Sequence, residues 1–308
     1  YLYLLIMKRK FFYFLIITLL ALSTTSCKNI SEVDKSNKKL LLVSFTVLED
    51  IVKNIVGEEF NVKSITKPGM EVHGYQTTPS DLIKGSRAEV FIDNGFGFEL
   101  WAEKFVSNLK VKRITIANNL KPLFIGEDAY KGKPNPHAWI SPKRGIIYVD
   151  TLSRALSELK PQSKIVFKKN AEIYKNKLLE IDEDFSLFLN TLKKNQKYLV
   201  SCEGAFTYLT NDYGLKEAYL WPVNAESQIT PKRMAKVINL VKTNDIPAVF
   251  CESTVSSESQ LAVARETGAK FGGNFFVDSL SEKNGPASSY IDLLNHNLNL
   301  IKQAYSTK

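Results

Sequence analysis

The chain is poor in histidine, with three in 308 residues, so any chemistry that needs an imidazole has few places to occur. It has no dense Lys/Arg cluster interleaved with aromatic residues, the pattern that tracks a nucleic-acid backbone, and nucleic acid is excluded as a partner on that ground. Past residue 22 no apolar run is long enough to span a membrane. Neither Ser201 nor Ser227 lies in a nucleophile-elbow pattern and no third histidine is placed to serve as base, so a serine-hydrolase reading fails. What is present is an ordinary globular composition, 44% hydrophobic and 24% charged.

The first residues address the chain rather than fold with it. Tyr1 to Ile6 resemble sequence upstream of a true start at Met7, which opens a basic stretch of Lys8, Arg9 and Lys10. An apolar run from Phe11 to Leu22 follows, then small residues ending at Cys27. This short run is expected to be a signal peptide over residues 1–26, and the small residues before Cys27 resemble a lipoprotein signal in which that cysteine carries the lipid. Removing residues 1–26 takes away three positive charges and lowers the formal charge from +9 to +6. Residues 27–38 are polar and aperiodic, as a tether would be. The expected location is exported, periplasmic or at the cell surface, anchored to the membrane through Cys27.

In the body, short apolar runs alternate with helical periodicity. Leu40–Phe45, Val62–Ile65, Val90–Ile92 and Val111–Ile116 read as strands, with intervening patterns such as Val47, Ile51, Val52 and Ile55 on one helical face. From Arg144 to Leu192 there is no clear strand signal. Pro161 suits a helix start, and Phe167, Ala171, Tyr174, Leu178, Ile181, Phe185, Phe188 and Leu192 repeat every three or four residues. Strand signals return at Tyr198–Cys202, Glu217–Trp221, Ala248–Cys251 and Phe271–Val277. The expected fold is α/β, with an N-terminal βα lobe over 39–143, a helical segment over 144–195 containing one long rigid helix that joins the lobes, and a C-terminal βα lobe over 196–308. Each lobe is long enough to bury its own core. Cys202 and Cys251 end apolar runs and read first as buried small hydrophobes; a disulfide between neighbouring strand ends is allowed in an oxidising compartment.

Four residues stand out against this frame. His73 lies in PGMEVHGYQTTPSD and His137 in KPNPHAWISP, both stiffened by proline. Glu203 and Asp278 follow strand-like apolar runs. Binding crevices in open α/β sheets lie beyond the carboxyl ends of strands, so two imidazoles from one lobe and two carboxylates from the other would meet in the cleft between them. Such a mixed set suits one divalent transition metal. His296 reads as an exposed helix residue, and Trp101, Trp139 and Trp221 as core. Glu71 and Glu252 could orient ligands, but helix capping or a surface ion pair explains them equally well.

With these residues in view, the body from about Lys39 onward resembles the metal-binding solute receptors of bacterial ABC importers for manganese, iron and zinc, most of all the periplasmic subunit of the manganese/iron importers. The likeness is carried by PGMEVHGYQTTPSD, NPHAWISP, VSCEGAFTYLTNDYGL, YLWPVNAESQITP, FCESTVSSE and VDSLSEKNGPASSYIDLL. It implies that His73, His137, Glu203 and Asp278 are the four metal ligands, that the protein is no enzyme, and that a monomer delivers its ion to a membrane permease with a cytoplasmic ATPase. Where the family usually has Asp-Pro before the first histidine, this chain has Glu71 and Val72. Zinc receptors of this kind usually place histidine at the third ligand and carry a His-rich loop, whereas here Glu203 stands and 118–136 lacks histidine. Mn(II) is favoured, then Fe(II), with Zn(II) as the alternative and a surface adhesin as another.

Overall fold

A four-stranded parallel sheet and two parallel strand pairs lying side by side build the described part of the molecule. The computed structural model describes residues 38–127, 130–223 and 229–306; the expected leader, Cys27, nearly all of the tether and Ser227 lie outside these. In the first half, β1 (Leu40–Val43), β2 (Asn61–Ser64), β3 (Ala88–Asp93) and β4 (Lys112–Thr115) pair in the order β2-β1-β3-β4. In the second, β5 (Tyr198–Glu203) pairs with β6 (Lys216–Trp221), and β7 (Ala248–Glu252) with β8 (Lys270–Phe275). Cys202 and Cys251 form a disulfide with their Cα atoms 4.7 Å apart, so β5 runs beside β7 and the order becomes β6-β5-β7-β8. The two cysteines are therefore bonded to each other, beyond the simple apolar packing read first. Each of these strands lies within two residues of its sequence-based bounds.

Helices cross between successive strands: α1 (Thr46–Val56), α2 (Pro79–Gly85) and α3 (Leu100–Leu109) in the first half. The connecting segment holds two helices, α4 (Pro142–Leu159) and α5 (Lys164–Leu189), of which α5 is the long one at 26 residues. Pro161 heads a single 3-10 turn before α5, where a continuous helix from Pro161 was expected. The helix also stops short of Leu192: Asn190 and Thr191 are weak helix formers, and Thr191 N–H closes a tighter turn on the Phe188 carbonyl. The second half adds α6 (Thr207–Tyr213), α7 (Pro231–Thr243), α8 (Glu258–Thr267) and α9 (Tyr290–Ser306).

Strand alternation sorts the core. Leu41, Val43, Val90 and Ile92 face inward, while Leu42 and Phe91 face the opposite side with Phe105. In the second half Leu199, Ala248 and Phe250 face inward, and Val200, Cys202, Val249 and Cys251 outward with Val237 and Val263. The inward set does not divide by lobe. It joins through Tyr148, Leu152 and Leu156 of α4 and through Phe167, Tyr174, Leu178 and Phe185 of α5 into one apolar body. Among the described residues the separate cores lie on the outer faces, while the joining helices contribute side chains to the shared body.

Candidate metal centre

In an open sheet the crevice forms where the chain's crossovers diverge, here between β1 and β3 in one half and between β5 and β7 in the other. Glu203 is the last residue of β5. Asp278 comes three residues past β8, on a segment held by Trp139, whose indole N–H donates to the Val277 carbonyl at 3.0 Å. His73 lies in the long loop between β2 and α2, and His137 just after Pro136. All four side chains are buried.

The structure brings the four together. The Nε2 atoms of His73 and His137 are 3.2 Å apart. His73 Nε2 lies 3.7 Å from Glu203 Oε1 and 3.6 Å from Asp278 Oδ2; His137 Nε2 lies 3.6 Å from Glu203 Oε1 and 3.4 Å from Asp278 Oδ1. Donors ~2.1 Å from a common ion, at angles between octahedral and tetrahedral, stand roughly 3.0–3.4 Å apart. These spacings are close to that. Asp278 Oδ1 is buried with no hydrogen-bond donor, an arrangement that costs free energy until a cation meets it.

The protonation states suit a cation. His137 Nδ1 lies 3.0 Å from Asn135 Oδ1, and the Asn135 amide nitrogen donates to the Gly204 carbonyl at 2.6 Å and to Thr207 Oγ1 at 3.0 Å. That orientation makes Oδ1 the acceptor, puts the proton on Nδ1 and leaves Nε2 a bare lone pair. Burial holds His73 neutral, lowering it to about 3, and a charge on His137 would lower it further while Asp278 opposes both. Burial pushes Asp278 up, whereas a proton shared with either imidazole, His73 first, pulls it down, and the net direction is below the usual carboxylate range. Two carboxylates and two neutral imidazoles would balance the charge of a divalent ion taken out of water.

The walls are aromatic on one side and polar on the other. Phe98 packs edge-on against His73 with ring centroids 4.5 Å apart, and Trp139 lies 5.2 Å from His137. Phe98 is set there by a turn in which Gly95, Phe96 and Gly97 all have positive φ. Glu71 accepts the backbone N–H groups of His73 and Gly74 at 2.7 and 2.8 Å, and Glu252 Oε2 accepts that of Glu203 at 3.2 Å. Both thus orient the backbone of candidate ligands, and among the described residues neither caps a helix or joins a surface ion pair. Trp139 is core as expected, but Trp221 also lines the cavity of about 480 Å³ that opens onto the site past Glu71, Leu100 and Tyr130. His296, on α9, is half-buried, its Nε2 3.2 Å from the Asn274 carbonyl. Asn135 and Phe98 were not anticipated; the Asn-Pro-His order and the Gly-Phe-Gly-Phe turn are the signals that mark them.

A family described as ZnuA, zinc-uptake complex component A, periplasmic, matches residues 41–304. The chain belongs to this family. It is 40% identical to the iron-binding protein YfeA of Yersinia pestis over 285 residues, 92% of each chain. The manganese ABC transporter substrate-binding lipoprotein scaA of Streptococcus gordonii is 28% identical over 304 residues, 96% of this chain and 98% of that one. Among solved structures, the Mn-bound periplasmic metal binding protein of Candidatus Liberibacter asiaticus superposes with a TM-score of 0.81 at 34% identity, covering 87% of this chain and all of the other. Two α/β lobes joined by a long helix are thus the architecture of this family member.

Proposed function

We propose that this protein captures one divalent transition-metal ion outside the cytoplasm, holding it with His73, His137, Glu203 and Asp278, and passes it to the membrane permease of an ABC importer. The observation that carries the reading is the meeting, out of water, of two imidazole nitrogens and two carboxylates, one of which has an oxygen with no hydrogen-bond donor. The receptor does no chemistry on the ion. Two donors come from each half, so parting the halves splits the set two and two and loosens the ion for transfer. Fe(II) or Mn(II) is the favoured cargo, since two carboxylate donors suit harder ions. Names given to the relatives support both: iron-binding for YfeA, manganese for scaA. Relatives named as lipoproteins support lipid on Cys27 as the anchor.

Metal analysis of protein purified from its native envelope, joined to competition titrations of Mn(II), Fe(II) and Zn(II), tests the reading. One ion per chain and a rise in Tm on binding are expected. Identical melting in chelator and in excess Mn(II) would sink the receptor reading, and zinc alone in the native protein would sink the manganese/iron preference.

A further inference from the structure

A basic face on α4 and α5 takes no part in the metal centre. A cavity of about 700 Å³ lies between these helices, lined among others by Ser153, Arg154, Lys164, Lys168 and Lys169. Two of the acids that line it are already paired, Asp150 and Glu172 both with Lys175 at 2.8 Å. Among the described residues Arg154, Lys164, Lys168 and Lys169 form no ion pair, and Glu158 is the one lining carboxylate without one. Beside these cations on α5 stand Ile165, Val166 and Ile173, which are 83, 43 and 50% exposed. The face also lies near the point where the chain enters the body. The Lys39 carbonyl accepts the Asn61 N–H at 3.0 Å, at the amino ends of β1 and β2. Two residues before Asn61, Glu59 accepts Lys160 Nζ and Ser163 Oγ, each at 2.6 Å, where α5 begins.

From this placement we propose that the α4–α5 face docks on an anionic lipid surface, with Arg154, Lys164, Lys168 and Lys169 against the phosphate headgroups and Ile165, Val166 and Ile173 among the upper acyl chains. Charge selects this occupant: four unpaired cations meet one unpaired carboxylate, and each Lys or Arg held near an anionic bilayer is worth about fivefold in partitioning. The exposed aliphatic side chains add burial that a purely ionic contact lacks. Twelve residues, 27–38, separate Cys27 from the body, and fully extended they reach only about 40 Å. With lipid on Cys27, a tether of that length holds the face at a high effective concentration of headgroups, so a contact that is weak for the free body becomes persistent for the anchored one. The candidate ligands lie beyond the carboxyl ends of the strands, so a docked receptor turns its cleft to the solvent and must lift from the lipid to present its ion to a permease. The docking goes beyond the receptor reading and needs no metal.

The test is sedimentation of the body from Lys39 to Lys308, a compact unit by itself, with phosphatidylcholine vesicles and with vesicles that also contain phosphatidylglycerol. Binding is expected to the mixed vesicles alone and to weaken as salt is raised. Lys164→Gln/Lys168→Gln/Lys169→Gln is expected to lower partitioning about 100-fold. Lys67→Gln/Lys121→Gln/Lys283→Gln removes the same charge from the loops that follow β2, β4 and β8, and is expected to change it less than about threefold because those charges are screened. Ile165→Cys carrying an environment-sensitive dye should shift to the blue on the mixed vesicles. Equal losses in the two triple variants would assign the binding to net charge and overturn the proposal. Equal binding to both kinds of vesicle, or an unshifted dye, overturns it too. Displacement by millimolar glycerol phosphate would mark a site for a soluble anion instead of a membrane, and also overturns it. Neither triple variant alters a candidate ligand, so both should titrate Mn(II) as wild type does, and a failure of the metal reading would leave the vesicle result standing.

Discussion

Among the described residues, the first half of the molecule closes its central seam with a backbone ladder, the second with a disulfide and hydrogen bonds that use the Gln260 amide and the Glu252 carboxylate, although the strands lie in the same order in both. The ladder in the first half is continuous with its loops: Ser44 N–H bonds to the Ile92 carbonyl just past the paired region. Its imidazoles come from loops, His73 after β2 and His137 before α4. In the second half Glu203 sits at the seam itself. The first half places both its candidate ligands on loops beyond the ladder, whereas the second places one, Glu203, on a strand end and the other, Asp278, on a loop.

The largest expected effect tests whether both halves hold the ion. His137→Ala in the first and Asp278→Ala in the second should each weaken Mn(II) binding by at least ~100-fold, the upper end of what outer supports cost. Wild-type affinity in either variant, by competition titration, would remove that half from the site. The next effect concerns ligand type at the seam. Glu203→His exchanges a hard oxygen for nitrogen and is expected to move the Mn-to-Zn affinity ratio about tenfold toward zinc, while Glu203→Ala weakens both ions. An unchanged ratio would show that the seam does not set metal preference.

A third prediction lies beneath the first sheet. Burial, helped by the nearby Asp93, raises Glu99 to about 8, although Ser44 and the N–H groups of Asn94 and Gly95 bond to it. An acid raised on folding gives stability that is full below its unfolded value near 4.5 and is lost as pH climbs toward 8. Glu99→Gln keeps the size and cannot ionise, so the metal-free variant should lose less Tm than wild type between pH 5 and pH 8, by about 2–4 °C for each kcal/mol retained. Parallel melting curves for the two proteins would place the carboxyl's ionisation outside this window. The smallest effect is Ser279→Ala, which removes a hydroxyl that accepts the Gly69 N–H at 2.7 Å. A cost of ~1 kcal/mol is expected, because Gly69 N–H retains the Leu280 carbonyl at 3.3 Å. A loss several times larger in denaturant unfolding would mean that this contact organises the loop carrying His73.

Strands were legible because apolar runs of three to seven residues, set apart by helical patterns, admit few other readings. The last one was read two residues long for a local reason. Phe276 looks like strand, but its N–H and carbonyl bond to the Asn297 side chain of α9 instead of to β7. The candidate ligands were legible because histidine is scarce and its loops are proline-bound. The disulfide and the role of Asn135 were not. Each depends on a contact between segments dozens of residues apart, Cys202 with Cys251 and Asn135 with Gly204, and one-dimensional periodicity carries no information about such pairs.

The shared inner core makes the molecule indivisible in an engineering sense. A fragment ending near residue 160 would expose the apolar faces of β1 and α1, and its complement would present Phe167, Tyr174, Leu178 and Phe185 to water with half their neighbours missing. Neither piece could be exchanged with a relative as a cassette. Swapping metal preference between receptors of this kind therefore calls for point changes at strand ends and loops, with the paired lobes kept from a single parent.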